Sequence, residues 1–342
     1  MTPKNWMTRY NDVKNMALNA KRGEMKALCK TPGGREVFAL CYGEKFSCAE
    51  SANYSSACGA KNRAYFSPRN KEKPVIVLIS GVHGQETEGI AALSNLISLL
   101  ETGRDLSGKA NEALYDAASR VRLVIVPFAN PDGRERVQPD AIVGLTHNEL
   151  RYWGQGTWAD GSLCGWPECK SVHPMKGYGF LGGYYNDDGI NIMHDNFFRP
   201  MAKETQAMID LVQDEKADCA LHLHGGSNSQ NALLQPCYAP LEVNETICRL
   251  AEICDGKAKE YGLAFSKAPV PPRPHGDTPQ SFNLVDALHH ASGAVSVCFE
   301  SNEGLKDGGE PVWNHEQILI SHAILFEETI NMFLEINQGA NQ

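Results

Sequence analysis

Val75-Ile76-Val77-Leu78-Ile79-Ser80-Gly81-Val82-His83-Gly84-Gln85-Glu86-Thr87-Glu88-Gly89 is the stretch that decides how this chain folds. Val75 to Ser80 is apolar and mostly β-branched up to its closing serine, and it sits behind Pro74. That pattern predicts a strand buried on both faces. Gly81 breaks it. From Glu86 onward, Ile90, Leu93, Leu96, Ile97 and Leu100 fall at helical spacing. His83 and Glu86 are thereby expected on a tight turn between a buried strand and a helix. In open α/β sheets this carboxyl edge is where ligands bind. A His and a Glu three residues apart on such a turn can hold one metal ion, since zinc accepts imidazole nitrogen and carboxylate oxygen together. The competing reading makes His83 a loop histidine and Glu86 a helix-start acid favoured by the dipole. The rest of the chain has to decide between them.

The chain has 342 residues, 42% of them hydrophobic, enough for the core of one large α/β domain or of two domains. A net charge of −9 argues against a nucleic-acid partner. No apolar run reaches membrane-span length, and residues 1–20 lack the apolar centre of a signal peptide, so no membrane association is expected. The eleven cysteines are odd in number and scattered, some of them inside apolar runs such as those holding Cys219 and Cys298. This usage predicts a reduced, cytoplasmic protein. Nothing in the sequence fixes an oligomeric state.

Residues 1–20 read as an amphipathic helix. Met25 to Lys30 and Glu36 to Cys41, separated by Thr31-Pro32-Gly33-Gly34, read as a hairpin. Residues 44–72 are expected to form a surface strand with loops. Asn111 to Ser119 reads as a helix and Arg122 to Val126 as a second buried strand. Asn130-Pro131-Asp132-Gly133 is a turn signal followed by Arg134 and Arg136. Residues 140–190 show no periodic element and are rich in Gly, Trp and Tyr, as a long functional loop would be. Helices are expected at Met201 to Gln213, 240–260, Phe282 to His290 and His315 to Ile336. Strands are expected at Ala217 to Leu223 and Ala294 to Phe299, with a proline-rich loop from Pro269 to Gln280. Alternation of this kind predicts an α/β fold with a mixed, mostly parallel central sheet flanked by helices.

Three strand ends carry polar groups that a core would not select: His83 with Glu86, then His224, then Glu300. Two histidines and a glutamate are a common catalytic zinc set, and a further carboxylate beside an open zinc position can take and return a proton. The order HxxE, a later strand-end His and a late Glu resembles the zinc carboxypeptidase family. It also resembles that family's aspartoacylase and succinylglutamate desuccinylase relatives. The turn Asn130-Pro131-Asp132-Gly133 matches a family signature between them. The resemblance spans roughly residues 70–335. It implies Zn2+ held by His83, Glu86 and His224, with Glu300 as general base and acid. It also implies residues 1–342 as one zinc-peptidase-like catalytic domain, on which an N-terminal helix and hairpin (1–70) pack.

The family usually shows Asp-Leu-His with an earlier Asp six positions before the His. Asp218 lies six before His224, and His222 stands where the family Asp would be. His224 is therefore taken as the ligand, with His222 as a supporting or alternative one. The resemblance also implies an arginine after the Asn-Pro-Asp-Gly turn to polarise the carbonyl. Arg136 is the first choice, ahead of Arg134 and Arg151. One departure concerns the segment Gly189-Ile190-Asn191-Ile192-Met193-His194-Asp195: His194 stands where the family places the arginine that holds a terminal carboxylate. The family's mobile-loop Tyr is not evident either, and Arg273 and His275 stand in the stretch that should carry it. A neutral imidazole does not replace a bidentate guanidinium. Arg199, Arg273 and Lys176 are alternative cations.

Cys164, Cys169 and His173 offer only three ligands at unusual spacing, so free thiols are expected there. Together these features imply a zinc-dependent hydrolase that cleaves an amide bond of a peptide or N-acyl amino acid. The alternatives are a small-molecule deacylase of the aspartoacylase type and a non-catalytic binding protein on the same fold.

Overall fold

In the computed structural model, which describes residues 2–48, 52–68, 71–266 and 281–340, the chain opens with helix α1 (Tyr10–Leu18) and strands β1 (Glu24–Lys30) and β2 (Glu36–Tyr42). Helix α2 (Tyr54–Gly59), strand β3 (Val75–Ser80), helices α3 (Thr87–Thr102) and α4 (Glu112–Ser119) and strand β4 (Arg122–Val126) follow. The middle of the chain holds α5 (Pro131–Arg136), α6 (His147–Gly154), β5 (Gly156–Trp158), β6 (Tyr178–Leu181) and α7 (Lys203–Asp214). Then come β7 (Cys219–Gly225), β8 (Ala232–Leu234), α8 (Leu241–Ala258), α9 (Leu284–Ser292), β9 (Val295–Ser301) and α10 (His315–Ala340).

Seven strands form one sheet in the order β1-β2-β4-β3-β7-β9-β8. The four central strands β4, β3, β7 and β9 run parallel. The N-terminal hairpin joins at one edge antiparallel to β4, and β8 closes the other edge antiparallel to β9. Every residue of β3 is buried, as the uninterrupted apolar run requires. Alternate side chains enter opposite layers. Ile76, Leu78, Leu221, Leu223, Val297 and Phe299 join a core with α3, α4, α8 and α10. Val77, Ile79, Ala220 and Cys298 join a second core with α7 and α9. Period-two alternation therefore places His222 and His224 on the α7/α9 side with Ala220, and Ser296 and Glu300 there with Cys298.

Two segments depart from the expectations. Residues 44–72 form α2 and a short turn of 3-10 helix, Arg63–Tyr65, and no strand among the described residues. Asn53 accepts from the Ser56 amide at 2.8 Å and Asn62 from the Ala64 amide at 3.2 Å. Such local side-chain bonds compete with strand pairing. Within 140–190, α6 begins at a capping box in which Thr146 and Glu149 serve each other's backbone, and β5 pairs with β6. Thr146-x-x-Glu149 is a readable helix-start signal, obscured by the Gly- and aromatic-rich stretch after it. The proline-rich loop expected from Pro269 to Gln280 lies outside the described residues.

The Asn130-Pro131-Asp132-Gly133 turn caps α5 and supports the His83 loop. Asn130 accepts from the Gly133 amide at 2.9 Å, and its own amide bonds the Gly81 carbonyl at 2.8 Å. Gly84 packs so closely on this turn that a Cβ would sit 2.1 Å from the Gly133 carbonyl carbon and the Arg134 nitrogen. Only glycine fits there.

Glu204 on α7 is fully buried. One carboxylate oxygen accepts from Asn186 at 3.1 Å and the other has no partner. Burial raises its pKa from 4.5 to about 7. The folded state holds this proton more tightly than the unfolded one, so stability falls as pH rises from about 4.5 through about 7. Glu204→Gln removes the titration and keeps the acceptor for Asn186. It is expected to stabilise the fold at pH 8 by about 1–3 kcal/mol, with most of the gain gone by pH 5. Thermal unfolding at the two pH values checks this.

Candidate metal centre and active site

His83 leaves the carboxyl end of β3, Glu86 stands one residue before α3, His224 lies near the end of β7 and Glu300 lies opposite it on β9. The structure brings all four to one edge of the sheet. His83 Nδ1 lies 2.8 Å from Glu86 Oε1, and His224 Nδ1 lies 2.8 Å from Glu86 Oε2. The Glu86 carboxylate thus bridges the two imidazoles, one oxygen to each. The ligand atoms of His83, Glu86 and His224 all lie within 4.8 Å of one another, and the three residues are buried.

The donor chemistry fits a cation. Asn191 Oδ1 accepts from the Met193 amide at 3.0 Å, so this atom is an acceptor. His83 Nε2, 3.2 Å from the same oxygen, is placed to donate to it in the tautomer that frees Nδ1 for a metal. Burial lowers the His83 pKa below 6.5, favouring the neutral ring. In that tautomer Nδ1, 2.8 Å from Glu86 Oε1, offers its lone pair to a cation held with the carboxylate. Burial alone would raise the Glu86 pKa, but the two imidazoles outweigh it and hold the carboxyl at about 2. Burial opposes the charged form of His224, but Glu86 outweighs it and raises that pKa above 6.5. Two imidazole nitrogens with one carboxylate, gathered in a buried pocket, are a zinc donor set. Tyr184 stacks on His83 at a ring separation of 3.9 Å and fixes its plane. The acceptor that sets a ligand's tautomer governs metal affinity. Asn191→Ala is expected to weaken zinc binding about 10- to 100-fold, measured by competition with a fluorescent chelator.

Glu300 is not one of the trio; its ligand atom and those of His224 and Cys298 form a second group lying within 4.8 Å of one another. The Cys298 thiol donates to Glu300 Oε1 at 3.4 Å. Burial raises the Glu300 pKa to about 7, with His224 opposing the rise and Glu86 adding to it. A carboxyl with a pKa near neutrality is suited to taking and returning a proton. Two further buried carboxyls near the trio, Glu88 and Glu303, are pushed up by burial, Glu88 to about 8. Glu303 Oε2 accepts from the Ser227 amide at 2.7 Å. The sequence reading passed over both, although Glu88 lies only two residues beyond Glu86.

One expectation, the carbonyl-polarising arginine, meets a different arrangement. Arg136 is not brought to the site. Its guanidinium donates to the Leu181 and Gly182 carbonyls at 3.2 Å each, and also bonds the Tyr185 carbonyl and Asp187. It clamps the chain that carries Tyr184. Arg134 is buried against the Thr8, Val137 and Pro139 carbonyls, and the Arg151 guanidinium lies against Gly165. None of the three lines the cavity. Asp218 serves the opposite end of its strand, accepting from the Val75 amide at 2.8 Å and pairing with Lys71 at 2.7 Å. His222 lies one step below His224, with Ser296 Oγ 3.3 Å from its Nε2. Burial pushes its pKa down to about 3, so it is a neutral ring under the site. Cys164 and Cys169 pack with Met175, Leu181 and Tyr185, while His173 Nε2 accepts from the Asn191 amide at 3.0 Å.

A cavity of about 220 Å³ opens onto the trio. Its described lining includes Trp166, Lys170, Tyr184, His194, Gln235 and Glu300. Burial pushes the His194 pKa to about 3, and Ser281 Oγ lies 3.2 Å from its Nδ1. Lys170 is the one lysine or arginine among the described lining residues. No periodicity marked it, because it rides on the irregular loop. Arg273 and His275 lie outside the described residues.

An α/β sheet here carries a His–Glu–His cluster, a donor set that suits zinc, and a carboxyl of raised pKa at its carboxyl edge. The family profile described as zinc carboxypeptidase matches residues 18–267, and this chain belongs to that family. Human carboxypeptidase D is 42% identical over 67 residues, 20% of this chain and 5% of that protein. Zinc carboxypeptidase A 1 of Drosophila melanogaster is 24% identical over 233 residues, 66% of this chain and 45% of that one. The chain thus spans less than half the length of either relative. Among solved structures, a metallo-carboxypeptidase from Burkholderia cenocepacia superposes with a TM-score of 0.58 at 15% identity, covering 96% of this chain and 70% of that one. The family implies a zinc cofactor. Glu300 lies beyond the matched segment, so its place in the site rests on geometry.

Proposed function

We propose that this zinc-dependent hydrolase cleaves the amide bond of a peptide or N-acyl amino acid, with zinc held by His83, Glu86 and His224. The observation that carries this is the convergence of both Nδ1 atoms on the Glu86 carboxylate beside Glu300. Bound zinc supplies Lewis acidity and lowers the pKa of water to about 7. Glu300 takes the proton of the attacking water and returns it to the leaving amine nitrogen. His83 is held in its ligating tautomer by Asn191, and Tyr184 covers its ring. His222 serves as a neutral support under His224. The scattered, odd-numbered cysteines support a reducing, cytoplasmic setting.

His194 is neutral where the family pattern calls for a carboxylate-binding arginine. We infer that recognition does not rest on a bidentate grip of a free C-terminus, and that capped, branched or acylated substrates are accepted. The test compares zinc-loaded enzyme on peptide pairs with free and amidated C-termini. A preference for the free form well below 10³ in kcat/KM is expected. A preference of about 10³, roughly 4 kcal/mol, contradicts the reading. Absence of turnover on all amides, with zinc bound, contradicts amide hydrolysis itself.

A further inference from the structure

We propose that a second cation site lies behind the His–Glu–His centre, on the other face of the sheet, where Glu88, Glu303 and Ser80 hold one Ca2+. It is separate from the hydrolase reading and does not depend on it.

Strand alternation puts the two sites in different layers. His224 and Glu300 lie on the α7/α9 side, while positions 223 and 225 of β7 face α3. Ser80, paired in register with Leu223, faces α3 as well. The helix comes close there. A Cβ at Gly89 would sit 2.6 Å from Ser80 Oγ and 2.5 Å from Leu223 Cβ. Glu88 is the residue before it, in the first turn of α3. A Cβ at Gly225 would sit 2.7 Å from Glu303 Oε1, so the Glu303 carboxylate lies over the same strand face. Of all charges, that of Glu88 is felt most at Glu303. One residue on, a Cβ at Gly226 would sit 3.0 Å from Glu300 Cβ. Gly225-Gly226 is thus the partition between the two sites.

The oxygens gathered there are buried and unpaired. Ser80 and Glu88 are fully buried, and Glu303 is 1% exposed. Ser80 Oγ, Glu88 Oε2 and Glu303 Oε1 have no hydrogen-bond partner among the described residues. Native interiors rarely leave such atoms without one, and a bound ion is one remedy. Arg134 is felt at Glu88, but its guanidinium donates to the Thr8, Val137 and Pro139 carbonyls. The frame around the free oxygens is fixed. Glu303 Oε2 accepts from the Ser227 amide at 2.7 Å, and the Glu303 amide bonds the Ser227 carbonyl at 2.7 Å. Asn228 Oδ1 accepts from the Leu305 amide at 2.7 Å and ties the same two loops together.

The donor set names the ion. Carboxylate and hydroxyl oxygens are hard ligands, and these three side chains bring no nitrogen or sulfur, which favours an alkaline-earth ion over zinc. Two carboxylates match its charge. Ca2+ accepts irregular geometry and lets water and backbone carbonyls complete its shell, whereas Mg2+ demands a near-ideal octahedron. The ion would tie the first turn of α3, which follows Glu86, to the ends of β3, β7 and β9, which carry His83, His224 and Glu300. It positions those residues and touches no substrate.

The test titrates Ca2+ into zinc-loaded protein at pH 8 by calorimetry and follows thermal unfolding of the same samples. One Ca2+ per chain is expected, with a rise in melting temperature of about 3 °C or more at a hundredfold excess over the dissociation constant. Glu88→Gln and Glu303→Gln should each weaken Ca2+ binding about 100-fold and leave zinc content unchanged. Ser80→Ala keeps both carboxylates and covers the case in which a glutamine variant does not fold; it should weaken Ca2+ binding about 10-fold. His224→Ala should lose the response to zinc and keep the response to Ca2+, so failure of the zinc reading and failure of this one are told apart. Absence of Ca2+ binding by wild type overturns the proposal, as does binding that all three variants at the second site leave unchanged.

Discussion

Glu300→Gln is expected to lower turnover by about 10² or more while zinc content stays at the wild-type level. Glutamine keeps the size of the side chain and can still accept the Cys298 thiol hydrogen bond. It cannot take a proton. Glu300 is opposite His224 in the strand register and burial raises its pKa to about 7, which suits the proposed role of accepting and returning a proton near neutral pH. If it were instead a metal ligand, the substitution would reduce zinc content together with turnover. The experiment therefore measures kcat and zinc by elemental analysis on the same sample. Near-normal turnover in the glutamine variant overturns the assignment, and it would do so at the one proposed catalytic position that lies beyond the family-matched segment.

The second large effect concerns the ligands. Removing zinc by chelation is expected to abolish hydrolysis, and His224→Ala is expected to lose zinc with a fall in activity of about 10³ or more. A readout independent of activity accompanies it. A ligand that binds only the folded state stabilises it by about 4 kcal/mol at a thousandfold excess over its dissociation constant. Zinc should thus raise the melting temperature of metal-free wild type and leave that of His224→Ala unchanged. An equal rise in both proteins places the metal elsewhere.

Much of this site was legible because strand alternation and strand ends are written in the sequence. Val75 to Ser80 announced β3, and HxxE followed it directly. His222-Leu223-His224 and Ser296 to Glu300 carry polar groups at every second position, and in the fold those groups share one face. The helical spacing after Glu86 located α3 for the same reason. The positions of the cations were the least legible. Arg136 follows a family-like turn, but the sequence does not say which way a six-residue helix turns its last side chain. In the structure α5 directs it to the carbonyls of Leu181, Gly182 and Tyr185. Asn191 and Lys170 carry no periodic signal, since both lie in irregular chain brought to the site by long-range hydrogen bonds and small local cores. Capping by Asn53, Asn62 and Thr146 was readable in principle and was hidden by polar composition around it.

Anomalous diffraction at the zinc edge, on crystals of protein loaded with excess zinc, tests the central claim most directly. The account predicts one ordered peak at roughly 2.0–2.2 Å from His83 Nδ1, His224 Nδ1 and a Glu86 carboxylate oxygen. Glu300 should face the peak without ligating it. A peak bound instead through His222 or Cys298, or no peak at the Glu86 carboxylate, would contradict it.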